Sequence, residues 1–269
     1  MDLPIVERHI QATGRDAKGR KQYRYHERWR EVRDEEKYGR TVAFAKVLPA
    51  LRARIAGDLN RRSLSQRKVV AAVVRLMELT CIRVGNESYV KENGSYGTTT
   101  LRNQHVLVTG ARVEFKFRGK SGKDHEIDLK DRRLAAIVGK CKELPGEQLF
   151  QYVDNEGRVQ KIDSNHVNAY MRGATGDDFS AKDLRTWSGT VLAAHALRVR
   201  ASLKEALRTV STKLGNTPAV CRKDYIHPRI IAEFLRGVVV SAPRGPISVG
   251  LTPDERAVVT FLQKAPALA

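Results

Sequence analysis

The amino-acid sequence predicts an α+β fold, mainly helical, with a small antiparallel three-stranded sheet and a short β-like arm ahead of it. Three observations carry that reading. Apolar residues recur at helical spacing from Val69 to Cys81, and a helical period returns after about residue 133. Between these stretches, short runs around Val106, Val113 to Phe117 and Ile127 are separated by glycine turns, as strands of a meander are. Near the start, Tyr23-Arg24-Tyr25 alternates aromatic and charged side chains.

Residues 1–25 are polar and basic: from 15 to 24, Arg15, Lys18, Arg20, Lys21 and Arg24 face one acid, Asp16. Gly14 and Gly19 punctuate this stretch, which is too short to fold alone and reads as an arm or the end of a sheet. From 27 to 40 the signs mix (Glu27, Arg28, Arg30, Glu31, Arg33, Asp34, Glu35, Glu36), and a solvated connector into a helix is expected. Ser63-x-x-Gln66 has the form of a capping box, with Val69, Val70, Val73, Val74, Met77 and Cys81 on one helical face behind it. That helix is expected to run to about 82 and to deliver Arg83 at its C-terminal end.

Thr98-Thr99-Thr100-Leu101 then leads to Val106-Leu107-Val108, and Thr109-Gly110 turns the chain into Val113-Glu114-Phe115-Lys116-Phe117. Gly119-Lys120-Ser121-Gly122 is a second turn before Ile127-Asp128-Leu129, which puts Lys120 at a hairpin tip. Further on, Leu203, Leu207, Val210 and Leu214 step by four, three and four, and Gly215 is a natural helix stop. Thr217-Pro218 supplies an N-cap and a proline at the first helical position, so a new helix starts after Asn216. Ile230, Ile231, Phe234 and Leu235 form another amphipathic pair of turns. Ser241 to Pro246 is a loop, and Thr252-Pro253-Asp254-Glu255 opens a last helix.

The charge balance says what the partner is. The 269 residues carry 49 Lys plus Arg against 30 Asp plus Glu, a formal charge of +19, which points to a polyanion. A hydrophobic content of 41% supports a real core and excludes a disordered basic tail. No apolar run approaches the roughly 18 residues a membrane helix needs, and no signal peptide is visible at the start. Cys81, Cys141 and Cys221 are widely spaced and unpaired in sequence, against a disulfide framework or zinc site and in favour of a reduced, cytoplasmic setting.

Metal-free cleavage of a phosphodiester needs a nucleophile, cations on the non-bridging oxygens and a proton for the leaving oxygen. Tyrosine suits the first role, arginine the second because its planar fork is always charged, and lysine the third. Taken singly, Tyr225, Arg83, Arg185 and Lys120 are ordinary surface or ion-paired residues, and Asn216 is a helix-boundary residue. Composition and spacing reach a basic nucleic-acid-binding protein and stop there.

Five ordered motifs go further. They are Gly19-Arg20-Lys21-Gln22-Tyr23-Arg24-Tyr25; Arg83-Val84-Gly85 with Tyr89-Val90-Lys91-Glu92-Asn93 and Gly97 to Leu101; Val113 to Lys120; Lys182-Asp183-Leu184-Arg185-Thr186; and Gly215-Asn216-Thr217-Pro218 through Tyr225. In that order they resemble the type IB DNA topoisomerases, specifically the small poxvirus-like enzymes of bacteria, from about residue 9 to at least 235. The resemblance implies relaxation of supercoiled double-stranded DNA without ATP, nucleotide cofactor or metal, through a 3′-phosphotyrosyl intermediate. It implies Tyr225 as nucleophile, Arg83 and Arg185 on the non-bridging oxygens and Lys120 as the acid for the 5′ oxygen. Asn216 stands where most relatives have histidine; its amide can donate but cannot titrate. Lys182, Tyr89, Gln22, Tyr23 and Tyr25 correspond to DNA contacts. Residues 1–28 are expected to be what is present of an N-terminal DNA-clamp domain, most of which is missing, and 29–269 the catalytic domain of a monomeric, nucleoid-associated enzyme. Two other readings compete: a tyrosine recombinase or integrase, which usually has histidine where this chain has Lys182, and a catalytically idle DNA-binding remnant.

Overall fold

The computed structural model describes residues 10–15, 19, 21–199, 202–242 and 250–264, without the side chains of Lys21, Gln22, Tyr25 and residues 27–36. The mainly helical α+β architecture is as expected. Strands β1 (Ile10–Arg15) and β2 (Lys21–Tyr25) pair antiparallel, with Thr13 opposite Tyr23 and Gly14 opposite Gln22. This is the β-like arm, and β1 is exposed along its whole length.

The expected connector at 27–40 is instead the start of a long helix, α1 (Glu27–Leu59). The mixed charges that suggested a linker recur with opposite sign at helical spacing, Arg30 before Asp34 and Glu36 before Arg40, a pattern that supports a solvated helix equally well. From Tyr38 onward α1 buries Phe44, Leu48, Leu51 and Ile55.

Helix α2 (Gln66–Thr80) is the centre of the molecule. Its N-cap is Ser65 rather than Ser63, without a side-chain capping bond, and the Gln66 amide donates instead to the Tyr152 hydroxyl at 3.0 Å. The expected single apolar face is also too narrow a description. Val69 to Val74, Leu76 and Met77 are all buried, because helices pack on several sides of α2. The helix stops at Thr80, where Cys81 takes the left-handed conformation (φ 60°) and donates its N–H to the Met77 carbonyl. Arg83 therefore sits on a loop past the end, not on the last turn.

After α3 (Glu87–Asn93), the meander is as expected: β3 (Val106–Thr109), β4 (Arg112–Arg118) and β5 (Asp124–Lys130), ordered 3-4-5 and antiparallel. Val113, Phe115 and Phe117 face inward and pair with Leu129, Ile127 and His125 respectively. Helix α4 (Arg132–Lys142) covers this sheet, its N-terminus capped by Asp131. A second hairpin, β6 (Gln151–Val153) with β7 (Val159–Lys161), was not legible as strand; Asp154 organises its turn by accepting from the Glu156 and Arg158 N–H groups.

Helices α5 (Ser164–Thr175), α6 (Ala181–Arg198), α7 (Leu203–Leu214), α8 (Pro218–Asp224), α9 (Pro228–Leu235) and α10 (Pro253–Gln263) complete the chain. Gly215 (φ 61°) ends α7 and Thr217 caps α8 ahead of Pro218, as their residue types require. The expected loop at 241–246 lies mostly outside the described residues. Among those described, no helix is long and apolar enough to cross a membrane, and all three cysteines are free and buried.

Candidate active site

The site is built where the loop after α2, the start of α6 and the α7–α8 junction meet. Ser180 caps α6 and Asp183 returns the bond, accepting from the Ser180 N–H and hydroxyl at 2.8 Å each. The Asp of the Lys182-Asp183-Leu184-Arg185 motif is thus a capping residue, and it fixes the turn that aims Arg185 inward. Arg185 is 4% exposed. Its guanidinium donates to the carbonyls of Cys81 and of Leu214, the latter at 2.9 Å, while its Nε has no protein partner. One buried cation therefore ties the loop carrying Arg83 to the end of α7.

Arg83 is held from behind. Thr98 and Thr99 donate through both N–H and hydroxyl to the carbonyls of Arg83 and Val84, at 2.7–3.1 Å. Gly97 permits this: a Cβ there would lie 2.5–2.7 Å from Gly85 and from the Arg83 carbonyl. The Thr98-Thr99-Thr100 segment is thereby a backbone clamp for the arginine loop. The Arg83 guanidinium donates to the Gly215 carbonyl at 3.4 Å and to the Asn216 Oδ1. Burial first and the neighbouring Arg185 next push its pKa down, and the nearby Tyr225 phenol opposes the shift.

Asn216 is 7% exposed, and its amide Nδ2, unlike its Oδ1, has no partner. A buried unpaired N–H is costly unless a ligand satisfies it. Its backbone carbonyl accepts from Ser211 Oγ at 2.9 Å and from Lys123 Nζ at 2.6 Å.

Tyr225 caps the C-terminus of α8 and is half-buried. The guanidinium carbon of Arg185 stands 5.0 Å from its ring centroid. Its backbone lies against Gly189 of α6, and Thr190 Oγ1 approaches its carbonyl at 3.4 Å. From α1, the Tyr38 hydroxyl donates to the Lys223 carbonyl at 2.7 Å, steadying the turn that presents the phenol.

Arg83, Arg185, Asn216 and Tyr225 thus come together. Lys120 does not join them here. It is exposed at the β4–β5 tip, with its Nζ 5.8 Å from the centroid of the Tyr89 ring on α3. The hairpin touches the cluster through Lys123 and His125, two residues the sequence reading passed over. The signal for His125 was present: in Asp124-His125-Glu126-Ile127-Asp128-Leu129 it takes the same face as Ile127 and Leu129. Tyr89, Lys182 and Tyr23 are exposed on the surface. The side chains of Gln22 and Tyr25 lie outside the described residues. Also among the described residues, no three His, Cys, Asp or Glu side chains converge as a metal site would need.

Residues 26–235 match the family model described as eukaryotic DNA topoisomerase I, catalytic core. A DNA topoisomerase 1B of Acanthamoeba polyphaga mimivirus is 28% identical over 234 residues, covering 81% of this chain and 70% of the viral one. A DNA topoisomerase I of Monkeypox virus is 22% identical with the same coverages, 81% and 70%. A solved XerH site-specific recombinase bound to difH substrate aligns over 71% of this chain and 52% of its own, at 12% identity and a TM-score of 0.41, too loose a likeness to bear on function.

Proposed function

This chain belongs to the type IB DNA topoisomerases, whose catalytic core its residues 26–235 match, and from that premise we propose the following chemistry. Tyr225 attacks a DNA phosphodiester, forms a 3′-phosphotyrosyl bond and releases a 5′ hydroxyl, which later attacks the phosphotyrosine to reseal the strand. One P–O ester bond replaces another at each step, so no ATP is consumed, and the nick between the steps lets supercoils relax.

The observation that carries this reading is the convergence of two arginines and an unpaired buried amide donor beside one tyrosine. A pentacoordinate phosphorane places extra negative charge on its non-bridging oxygens, and preorganised donors stabilise that charge more than the ground state. Arg83 and Asn216 Nδ2 are the donors for those oxygens. Arg185, over the Tyr225 ring, offers its unpartnered Nε to the same oxygens while anchoring the two segments that hold the other donors. The leaving 5′ oxygen must take a proton, and Lys120 is the donor, swinging from Tyr89 once DNA fills the site. In this scheme the cations of the protein and the Asn216 amide supply the charge stabilisation.

Tyr89, Lys182, Gln22, Tyr23 and Tyr25 contact the duplex in this reading, with residues 1–28 on the clamp side and 29–269 as the catalytic domain. The decisive test is a plasmid-relaxation assay with and without EDTA and ATP, coupled to peptide mapping of protein trapped on nicked DNA. Relaxation in EDTA and attachment of the 3′ end to Tyr225 are expected. Attachment elsewhere, to a 5′ end, or dependence on a metal overturns the scheme.

A further inference from the structure

Between the Lys120 hairpin and the segment leading to Tyr225 lies one contact surface made of few atoms. Lys123 Nζ donates to the Asn216 carbonyl at 2.6 Å. The ring of His125 stacks on Phe117, centroids 4.9 Å apart and planes within 10°. The same ring fills the gap between two glycines: a Cβ on Gly119 would stand 2.6 Å from it, and one on Gly215 would stand 2.5 Å from it. Gly119 is the residue before Lys120, and Gly215 the residue before Asn216. The imidazole is thus the spacer that sets how closely the lysine hairpin approaches the nucleophile segment.

We propose that Lys123 and His125 are positioning residues, a latch that seats the Lys120 hairpin on Gly215 and Asn216 and that holds only while the imidazole is uncharged. The latch rests on the assignment of Lys120 as the acid for the leaving oxygen.

The charges around the ring supply the reason. Arg83 faces it from the loop after α2, Arg185 from α6 and Lys123 from its own hairpin, and Asp124 opposes them. Burial first, then these cations, hold the imidazole below its ordinary pKa of 6.5. At neutral pH the ring is therefore uncharged and packs as an aromatic. As pH falls below 6.5, a proton on His125 adds a fourth cation to the cluster and loosens the seat.

Two arms test this. In the first, the DNA-free full chain is digested briefly with trypsin across pH 5.5 to 8, in rate-corrected assays, and cleavage after Lys120 is followed. Protection above pH 7 that fades with acidity is expected, together with fast cleavage at all pH values in Lys123→Met and His125→Ala. A flat wild-type profile, or a variant protected like wild type, overturns the latch whether or not the protein cuts DNA. In the second arm, single-turnover cleavage is compared on substrates with a 5′ oxygen or a 5′ sulfur leaving group. His125→Ala should lose about 10-fold or more on oxygen, a displacement effect, and recover most of it on sulfur. His125→Gln, uncharged throughout, should restore much of the rate and flatten the acid limb. Failure of sulfur to rescue would show that His125 acts through the arginines, overturning the latch while leaving the Tyr225 chemistry intact. A wild-type protein that cuts neither substrate would sink that chemistry, with the first arm still deciding the latch.

Discussion

The carbonyl oxygen of Tyr225 lies so close to Gly189 that a Cβ on Gly189 would stand 2.6 Å from it and 3.2 Å from the Tyr225 Cβ. Glycine in the middle of α6 is otherwise unfavourable by about 1 kcal/mol relative to alanine, so its value here is the close approach of the Tyr225 backbone. Gly189→Ala should push Tyr225 away from Arg185. Because the helix-propensity gain offsets part of the roughly 1–3 kcal/mol cost of overpacking, stability should change little while cleavage falls about 10²-fold. Gly173→Ala at an exposed position of α5, where a Cβ meets nothing within 4 Å, is the control. It should stabilise slightly and leave cleavage alone. Thermal melts and single-turnover rates on both variants check the pair.

Removing one oxygen separates binding from chemistry. Tyr225→Phe keeps the ring beneath Arg185 but has no nucleophile. Gel-shift affinity for duplex DNA should stay within a few-fold of wild type, with no covalent adduct after denaturant quench. An adduct in the variant would point to another nucleophile.

Lys120 and the two arginines should respond differently to the leaving group. Lys120→Ala is expected to slow cleavage by roughly 10²–10⁴-fold, and a 5′-sulfur substrate, which needs little protonation, should recover most of that loss. Arg83→Ala and Arg185→Ala act on the non-bridging oxygens and should not be rescued. Equal rescue of all three would remove Lys120 from the acid role.

Asn216→Asp replaces the unpaired buried N–H by an acceptor of nearly the same shape. The new carboxylate would pair with Arg83, so the melting temperature should hold or rise. Cleavage should drop by about 10²–10³-fold, the scale of losing one transition-state donor, with added charge repulsion. A variant within a few-fold of wild type would mean that Nδ2 donates to nothing during the reaction.

Stability should depend on a buried ion network behind the site. Glu255 of α10 accepts from both Arg52 NH groups at 2.8 Å and from the Trp187 indole at 3.1 Å, joining α10 and α1 to the helix that carries Arg185. Glu255→Ala strands the Trp187 N–H and part of Arg52, and should cost about 3–5 kcal/mol in denaturant unfolding. Burial alone would raise the Glu255 pKa, but its hydrogen bonds from Arg52, Thr252 and Trp187 and the Arg52 charge outweigh that, and the group is held below its ordinary 4.5. Its contribution is therefore complete above pH 4.5 and is lost as pH falls through the lowered folded value. The wild-type urea midpoint should fall more steeply with acid in that range than that of Glu255→Gln.

What the sequence determined by itself is local. Gly215 and Thr217-Pro218 announce a helix end and a helix start because αL geometry and a missing N–H are properties of single residues. The three-stranded meander is legible because alternation and glycine turns act over a few positions. The ordered motifs likewise name Arg83, Lys120, Arg185, Asn216 and Tyr225 from short stretches, each read on its own.

The tertiary structure alone decided which of these groups meet. Arg185 bonds the carbonyl of Cys81 across 104 positions, and Arg83 reaches Asn216 across 133. No local propensity encodes such distances; they follow from packing several elements around the buried α2. The same packing made the charged stretch at 27–40 a helix, moved Arg83 off the helix end onto a threonine-clamped loop, and brought Lys123 and His125 rather than Lys120 against the cluster. Each outcome depends on what lies across the core, and a side chain's neighbours across the core are set by the whole fold rather than by the residues beside it.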